Sequence, residues 1–408
     1  MDTESLVYVD LDGQPAPVGR LWARMRKNRD SASFEYDEEW LARADRFALE
    51  PALELGPGPF HTPADKAMFG AIGDSAPDRW GRVLMRRAER RQAQQAGKTP
   101  RTLREIDYLL MVNDEARQGA LRFAQEPGGP FLAADDVRPI PPLIELPRLL
   151  SAAENVVGES ESDEDLRLLL APGSSLGGAR PKASVRDKDG HLAIAKFPHK
   201  DDEIDAVSWE AVALSLAKKA GIPVPSWRIE TVTKKPILLL RRFDRAKGTR
   251  IPFLSAMSML GANDNETRSY LEFVDALRRY GAAPKGDMRM LWRRVLFSVL
   301  ISNTDDHLRN HGFLYHGPDG WRLSPAYDLN PSPHGRGLSL AISDSDNSLS
   351  LDLALEVRKF FRVAEDDARD IINRVVTAVR NWRHYANSLG IPREEQDRMS
   401  PAFAAAEN

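Results

Sequence analysis

The sequence predicts an α+β fold, with an N-terminal β-containing subdomain and a mainly helical C-terminal lobe. Three observations carry that class. Short strand-like runs flank an Asp-Gly turn at the start of the chain, strand and helix signals alternate through its middle, and beyond residue 355 the apolar residues recur at helical spacing. At 408 residues the chain has room for two or three units of about 150 residues each, and it can bury a large core without staples.

In chain order, Leu6 to Asp10, the turn Asp12-Gly13 and Val18 to Trp22 read as two strands of an N-terminal sheet. Between Asp74 and Gly97 a helix is expected, with Asp74 or Ser75 as its cap, Pro77 in the first turn, Trp80, Val83 and Leu84 at helical spacing, and Gly97 as its stop. It carries Arg79, Arg82, Arg86, Arg87, Arg90 and Arg91, which read either as a solvated basic face or as a contact surface for an acidic partner. Pro and Gly then crowd residues 126–147 and mark a junction. A helix from about Leu146 to Val157 and an acidic stretch from Glu159 to Asp165 follow. Near the end of the chain, Ile371, Ile372, Val375, Val376, Val379 and Trp382 predict a helical run from Asp366 to Ala386.

Composition narrows the function. The chain is 42% hydrophobic and 29% charged, with 27 Gly and 28 Pro, which is ordinary for a globular protein and unlike collagen or a disordered polymer. It has no Cys, so disulfides, thiolate zinc sites, thiol nucleophiles and cysteine-held iron–sulfur clusters are excluded, and a cytoplasmic location is expected. With 57 Lys and Arg against 60 Asp and Glu, the net charge of -3 speaks against nucleic-acid binding through a globally positive surface. DNA contact would need a partner. The apolar run from Val295 to Ile301 is too short to span a bilayer, and the acidic start Met1-Asp2-Thr3-Glu4 is unlike a signal peptide, so no membrane association is expected.

The middle of the chain carries chemistry. From Gly173 to Val185, small residues stand where backbone must approach something closely, and consecutive amides of that kind suit phosphate oxygens. A flexible turn would use the same residues. The Walker pattern fails, because Gly178 is followed by Ala179. A hairpin comes next, Lys182 to Val185 and His191 to Phe197 around Asp187-Lys188-Asp189-Gly190, with Lys196 near the end of its second strand. That lysine either snorkels to water or faces phosphates. The helix from Val207 to Ala220 places Glu210 near its start, and a strand Lys followed by a helix Glu is the pair with which protein kinases orient nucleotide phosphates. The run from Pro236 to Arg245 reads as a buried strand and hinge for an adenine.

The most specific signal lies further on. An apolar helix from Leu291 to Ile301 ends in Ser302-Asn303-Thr304-Asp305-Asp306-His307-Leu308-Arg309-Asn310, where four residues separate Asp305 from Asn310. That is the spacing of the kinase catalytic loop, whose Asp meets the attacking hydroxyl and whose Asn holds magnesium. A second hairpin then delivers Tyr327-Asp328-Leu329, with Asp328 where a second magnesium-binding carboxylate belongs. Any one of these residues could be a cap or turn residue; their order along the chain is what points to phosphoryl transfer. His307 and His311 are spaced as zinc ligands, but Leu308 stands where a zinc protease needs Glu, so His307 is read as a packing and hydrogen-bonding residue of the loop, within the nucleotide-binding set.

Together these strings resemble the HipA-type serine/threonine kinases, the toxin members of bacterial type II toxin–antitoxin pairs. The resemblance is carried by Ser174-Ser175-Leu176-Gly177-Gly178-Ala179-Arg180-Pro181-Lys182, Ala195-Lys196-Phe197-Pro198, Trp209-Glu210, Arg242-Phe243-Asp244-Arg245, Asn303 to Asn310 and Leu323 to Asp328, with Asp74 to Arg82 matching the N-terminal subdomain. It implies a two-lobed protein-kinase-like (HipA-like) fold, divided into an N-terminal subdomain at 1–125, a junction at 126–147, a small-lobe core at 148–245 and a mainly helical large lobe at 246–408. It also implies transfer of the ATP γ-phosphate to Ser or Thr of a protein, the family's known targets being aminoacyl-tRNA synthetases. In that mechanism Asp305 is catalytic and Asn310 and Asp328 hold Mg2+. Ser174, Ser175, Gly177, Gly178, Ala179 and Lys182 cover the phosphates, Lys196 held by Glu210 grips them, and Arg242 and Phe243 lie by the adenine. Autophosphorylation is expected at Ser175 or its neighbour Ser174, and the expected partner is a small HipB-like helix-turn-helix antitoxin that supplies the DNA contact. Two departures bear on the target: Asp306 stands where a Gly is usual, and Arg250 to Gly261 differs from the usual polar, acidic segment. A small-molecule or lipid kinase and a catalytically silent corepressor are the alternatives that the same motifs permit.

Overall fold

The Asp12-Gly13 turn does what its residue types dictate. Both residues take positive φ, 53° and 79°, and the chain reverses from β1 (Thr3–Leu11) into β2 (Gln14–Arg26). With β3 (Arg29–Tyr36), β4 (Phe60–His61) and β5 (Leu121–Ala124) they make a five-stranded sheet in the order β4-β3-β2-β1-β5. The computed structural model describes residues 2–27, 29–134, 139–170, 178–246, 248–264 and 266–407. Contacts divide the chain into a first unit, Met1–Asp201 with Glu230–Leu254, and a second, Asp202–Ile229 with Ser255–Asn408.

In the first unit, short helices α1 (Glu38–Ala42) and α2 (Gly70–Gly73) precede α3 (Arg79–Gln95) and α4 (Glu105–Met111). The cap of α3 is Asp78, whose carboxylate accepts the Gly81 amide at 2.8 Å. This corrects the expected cap at Asp74 or Ser75. Asp74 instead ends α2, the Ser75 hydroxyl donates to the Ile72 carbonyl, and Pro77 precedes the cap. Three arginines of α3 are spent inside the unit. Arg82 pairs with Glu105 at 2.6 Å, Arg87 with Glu161 at 2.7 Å and Arg91 with Asp163 at 3.2 Å. Half of the basic face is thus tied into internal ion pairs, while Arg79, Arg86 and Arg90 are exposed.

Helices α5 (Leu146–Val157) and α6 (Asp163–Leu170) lead to the hairpin of β6 (Lys182–Arg186) and β7 (Leu192–Lys196). With β8 (Trp227–Val232) and β9 (Lys235–Arg241) the hairpin forms a sheet in the order β6-β7-β9-β8, the chain re-entering the first unit within β8. Trp80 and Leu84 of α3 share one apolar core with Leu149 and Leu169 and with Val185, Ala195 and Leu239 of this sheet. Residues 126–147, where the sequence suggests a junction, therefore lie inside the first unit.

The second unit opens with α7 (Ala206–Lys219), capped by Asp205. Its Trp209 lies 6.0 Å from Trp382 and 5.9 Å from Phe403, and its indole N–H donates to Glu395 at 2.8 Å. That aromatic cluster fixes α7 to the C-terminal helices. Helices α8 (Ala256–Met259), α9 (Tyr270–Tyr280) and α10 (Pro284–Leu300) follow. Helix α10 starts seven residues before the apolar run predicted, because Pro284 fits the first helical turn. After α11 (Leu351–Glu356), the single run expected from Asp366 to Ala386 is two helices, α12 (Glu365–Val379) and α13 (Trp382–Ser388). The break has a cause: the Asn381 amide donates back to the Thr377 carbonyl at 2.7 Å, and Trp382 stacks on Phe403 at 4.6 Å and 11°. Helices α14 (Arg393–Met399) and α15 (Ala404–Glu407) complete the unit. Among the described residues no helix is long and apolar enough to cross a membrane.

One buried acid makes the first unit sensitive to pH. Glu50 is 5% exposed and accepts the Ala71 amide at the start of α2. Burial, assisted by Asp74, pushes its carboxyl up to about 7 against the pull of the Ala71 amide and Lys66. The folded state thus holds a proton that the unfolded chain releases at lower pH, so this stabilisation is complete below the ordinary carboxylate range and is lost as pH rises through about 7. The thermal midpoint should fall between pH 5 and pH 8, by an amount set by roughly 3 kcal/mol of linkage. In Glu50→Gln that contribution should vanish, and calorimetry at the two pH values compares the pair.

Candidate active site

Helix α10 ends at Leu300, and Ser302 takes φ 49°, turning the chain into a tight loop. Loop hydrogen bonds run from Asn303 N–H to the Ser298 carbonyl at 2.8 Å, from His307 N–H to the Asp305 carbonyl at 3.0 Å and from Asn310 N–H to the His307 carbonyl at 2.9 Å. The two neighbouring aspartates face opposite ways. Asp305 is exposed, whereas Asp306 is 3% exposed and sits in the core of the second unit.

Every oxygen of Asp306 is met. His311 Nε2–H donates to its Oδ1 at 2.8 Å, and Ser298 Oγ at 3.0 Å and the Tyr270 hydroxyl donate to its Oδ2. Burial alone would raise its pKa, but His311 and the two hydroxyl donors outweigh it and hold the carboxyl below its usual range. Burial, reinforced by the Asp306 charge, drives the Tyr270 hydroxyl well above its usual value, so it stays a donor. Behind the loop, Arg294, Ser298, Asp306, Asn310, His311 and Tyr327 line a cavity of about 10 Å³, room for about one water. Sequence reasoning missed this network. Its signal was available in the serine one helical turn before the loop and in a second Asp and second His at Asp306 and His311.

Asn310 is buried, and its amide Nδ2 donates to the Asp305 carbonyl at 3.0 Å, which leaves its Oδ1 to face elsewhere. The strands Gly312–Tyr315 and Trp321–Leu323 pair as a hairpin and carry the chain to Asp328. Tyr327 OH donates to the Arg309 carbonyl at 2.8 Å, and Asn303 Oδ1 accepts the Asn330 amide at 3.1 Å. These two bonds tie the segment around Asp328 to the loop that holds Asp305, His307 and Asn310. Asp328 itself takes φ 58°, a conformation costly for a residue other than glycine and one that clusters at functional sites. The donors this segment offers a cation are an amide oxygen and carboxylate oxygens, the hard ligands magnesium takes, so the residues fit the metal.

In the first unit, Lys196 is half-buried at the end of β7, directly opposite Lys182 in the antiparallel pair. Gly178 and Ala179 are exposed; Ser174, Ser175 and Gly177 lie outside the described residues. Arg242 has a wholly buried side chain that donates to Asp244 Oδ1 at 2.8 Å and to the Arg117 carbonyl at 3.0 Å. Its guanidinium has no surface to offer a nucleotide; it braces the strand exit. Burial opposes the Asp244 charge, but Arg242 and Arg245 outweigh it and hold the carboxyl low. The neighbouring Phe243 is half-buried, its ring 6.3 Å from Phe253. Glu210, on α7, is buried in the second unit.

Residues 174–383 match the HipA-like C-terminal domain and residues 9–122 the HipA N-terminal domain. The protein Y4mE of Sinorhizobium fredii, whose name classes it with kinases, is 25% identical over 348 residues, 76% of this chain and 75% of its own. A Haemophilus influenzae protein also named with kinases is 25% identical over 185 residues, 40% of this chain and 54% of that one. The HipA chain from a Shewanella oneidensis complex of HipA, HipB and operator DNA superposes with a TM-score of 0.67, covering 98% of this chain and 96% of its own at 16% identity, a likeness of fold.

The two aspartates should separate cleanly in stability. Asp306→Ala leaves His311, Tyr270 and Ser298 without their acceptor and should cost about 3–5 kcal/mol. The exposed neighbour variant Asp305→Ala should cost less than about 1 kcal/mol. Urea unfolding followed by tryptophan fluorescence measures both.

Proposed function

The chain belongs to the HipA family of kinases, and from that premise we propose that it transfers the γ-phosphoryl group of Mg-ATP to a Ser or Thr hydroxyl of a protein. The observation that carries this reading is the loop after α10, where an exposed Asp305 and a buried Asn310 are joined by one hydrogen bond and tied to a strained Asp328. In the reaction the acceptor oxygen bonds to the γ-phosphorus as the bond to the β,γ-bridging oxygen breaks. The hydroxyl proton passes to the Asp305 carboxylate, and ADP leaves. Asn310 and Asp328 are the residues that would hold Mg2+, which when bound neutralises and orients phosphate oxygens. Lys196 grips the phosphates, the Gly-rich segment covers them, Phe243 flanks the adenine and His307 keeps the loop in shape.

For the partner, we propose a HipB-like helix-turn-helix protein that supplies the DNA contact. The net charge of -3 supports this, as does the fold shared with a HipA solved beside HipB and operator DNA. An aminoacyl-tRNA synthetase is the first acceptor to assay, with small alcohols and lipids beside it so that the other acceptor classes are tested equally.

Asp305→Asn should keep ATP binding and lose phosphoryl transfer by about 10²- to 10⁴-fold, measured with labelled ATP. Mass spectrometry after incubation with Mg-ATP should find phosphate on Ser175 in the wild type and none in Asp305→Asn. Phosphate added there brings about -1.5 to -2 charges into the region that receives the nucleotide phosphates, so the modified protein should bind ATP more weakly.

A further inference from the structure

We propose that Asp78 and Trp80 are positioning residues for nucleotide binding: from the first turn of α3 they hold the base of the Gly-rich segment, at Gly178 and Lys182, beside the strand that bears Lys196. This rests on the nucleotide-binding reading above, which gives α3 no part.

The starting point is a like-charge problem. Lys182 stands directly across the β6–β7 pair from Lys196, so both side chains leave the same face of the sheet, and facing ammonium groups repel. The fold resolves it by turning Lys182 inward. Its side chain is 3% exposed, and its Nζ lies 2.8 Å from Asp78 Oδ2 and 3.1 Å from the Gly178 carbonyl. Asp78 is equally enclosed, at 5%, and its Oδ1 accepts the Gly81 amide at 2.8 Å. One carboxylate therefore caps α3 and neutralises Lys182. That leaves the positive field at the strand end to Lys196.

Trp80 adds a second tie. Its indole N–H donates to the Lys182 carbonyl at 3.0 Å, and its backbone N–H makes a long contact of 3.5 Å with the Gly178 carbonyl. Gly178 takes φ +90°, a backbone conformation that other L residues rarely adopt, and a Cβ there would stand 3.2 Å from Lys182 Nζ, so glycine suits the position. Trp80 is itself rooted in the apolar core under the sheet, so the anchor is as rigid as that core. Gly178 and Lys182 are thus fixed by residues about a hundred positions earlier, across a span the sequence reading treats as two domains. In this arrangement Lys182 anchors the segment, and Lys196 meets the phosphates.

The test uses the full chain, with ATP and magnesium as the probe. Asn also caps helices, so Asp78→Asn can keep the bond to Gly81 while it replaces the carboxylate oxygen facing Lys182 with an amide NH2, which removes both the charge and the acceptor of that ion pair. Trp80→Phe keeps the ring in the core and removes the donor. Asp78→Asn should raise the Kd and KM for ATP about tenfold with kcat within about twofold, and Trp80→Phe should act in the same direction. Lys182→Met should match Asp78→Asn, and the double variant should be no worse than either, because all three remove the same pair. Amide hydrogen exchange from Lys182 to Ser184 should quicken in each. Should Asp78→Asn fail to fold, Lys182→Met and Trp80→Phe carry the comparison. Wild-type Kd and KM in folded variants, whatever their thermal midpoints, overturn the proposal, as do fully additive effects of Asp78→Asn and Lys182→Met. A wild-type chain that binds no ATP overturns the kinase reading and this inference with it.

Discussion

A carboxylate buried away from water must be met by donors on every side or it disrupts its surroundings, and Asp306 imposes that condition on the second unit. Its acceptors draw in Tyr270 from α9, Ser298 from α10 and His311 from beyond the loop, so three segments converge on one group. Within the tight turn after α10, Asp306 is anchored in the core while its neighbour Asp305 is exposed. The loop that presents Asp305, on which the proposed chemistry depends, is thus held to the core through its neighbour Asp306. The Gly expected at position 306 could supply no such anchor, which makes the departure from the usual pattern a structural device.

The first unit is organised by a different bargain. Its sheets lie in what the sequence reading treats as separate domains, yet α3 places Trp80 and Leu84 under β6, β7 and β9 and closes one apolar core. Arg242 works the same way. Its buried guanidinium reaches back to the Arg117 carbonyl and pairs with Asp244, which also accepts the Gly119 amide at 2.8 Å. The N-terminal third is therefore built into the body that carries Lys182 and Lys196.

Helix α7 illustrates how packing overrides chain order. In sequence it lies between β7 and β8, both components of the first unit's sheet, yet Trp209 joins Trp382 and Phe403, and Glu395 accepts both its indole N–H and the Asp205 amide at 2.8 Å. Glu210 is consequently carried by the unit that holds the Asp305 loop, and Lys196 by the other.

Much of this was legible in the chain itself, because turns, caps and short hairpins are decided by residues a few positions apart. The positive-φ pair at Asp12-Gly13, the β6–β7 hairpin, the helix from Leu146 to Val157 and the Asp305-to-Asn310 spacing all follow from local stereochemistry and local motif. Local signals mislead where two residues compete for one role: Asp74 and Asp78 can both cap a helix, and only the end of α2 decides between them. They also fail where a side chain's partner is remote. Nothing near Lys182 announces Asp78, nothing near Asp306 announces Tyr270, and the break between α12 and α13 answers to Phe403 as much as to Asn381. Sequence by itself determined which chemistry the chain can carry, since that depends on residue types and their spacing. Only the tertiary structure decided which charged groups are neutralised by burial and pairing and which face outward, because burial belongs to the packed whole and to no single segment.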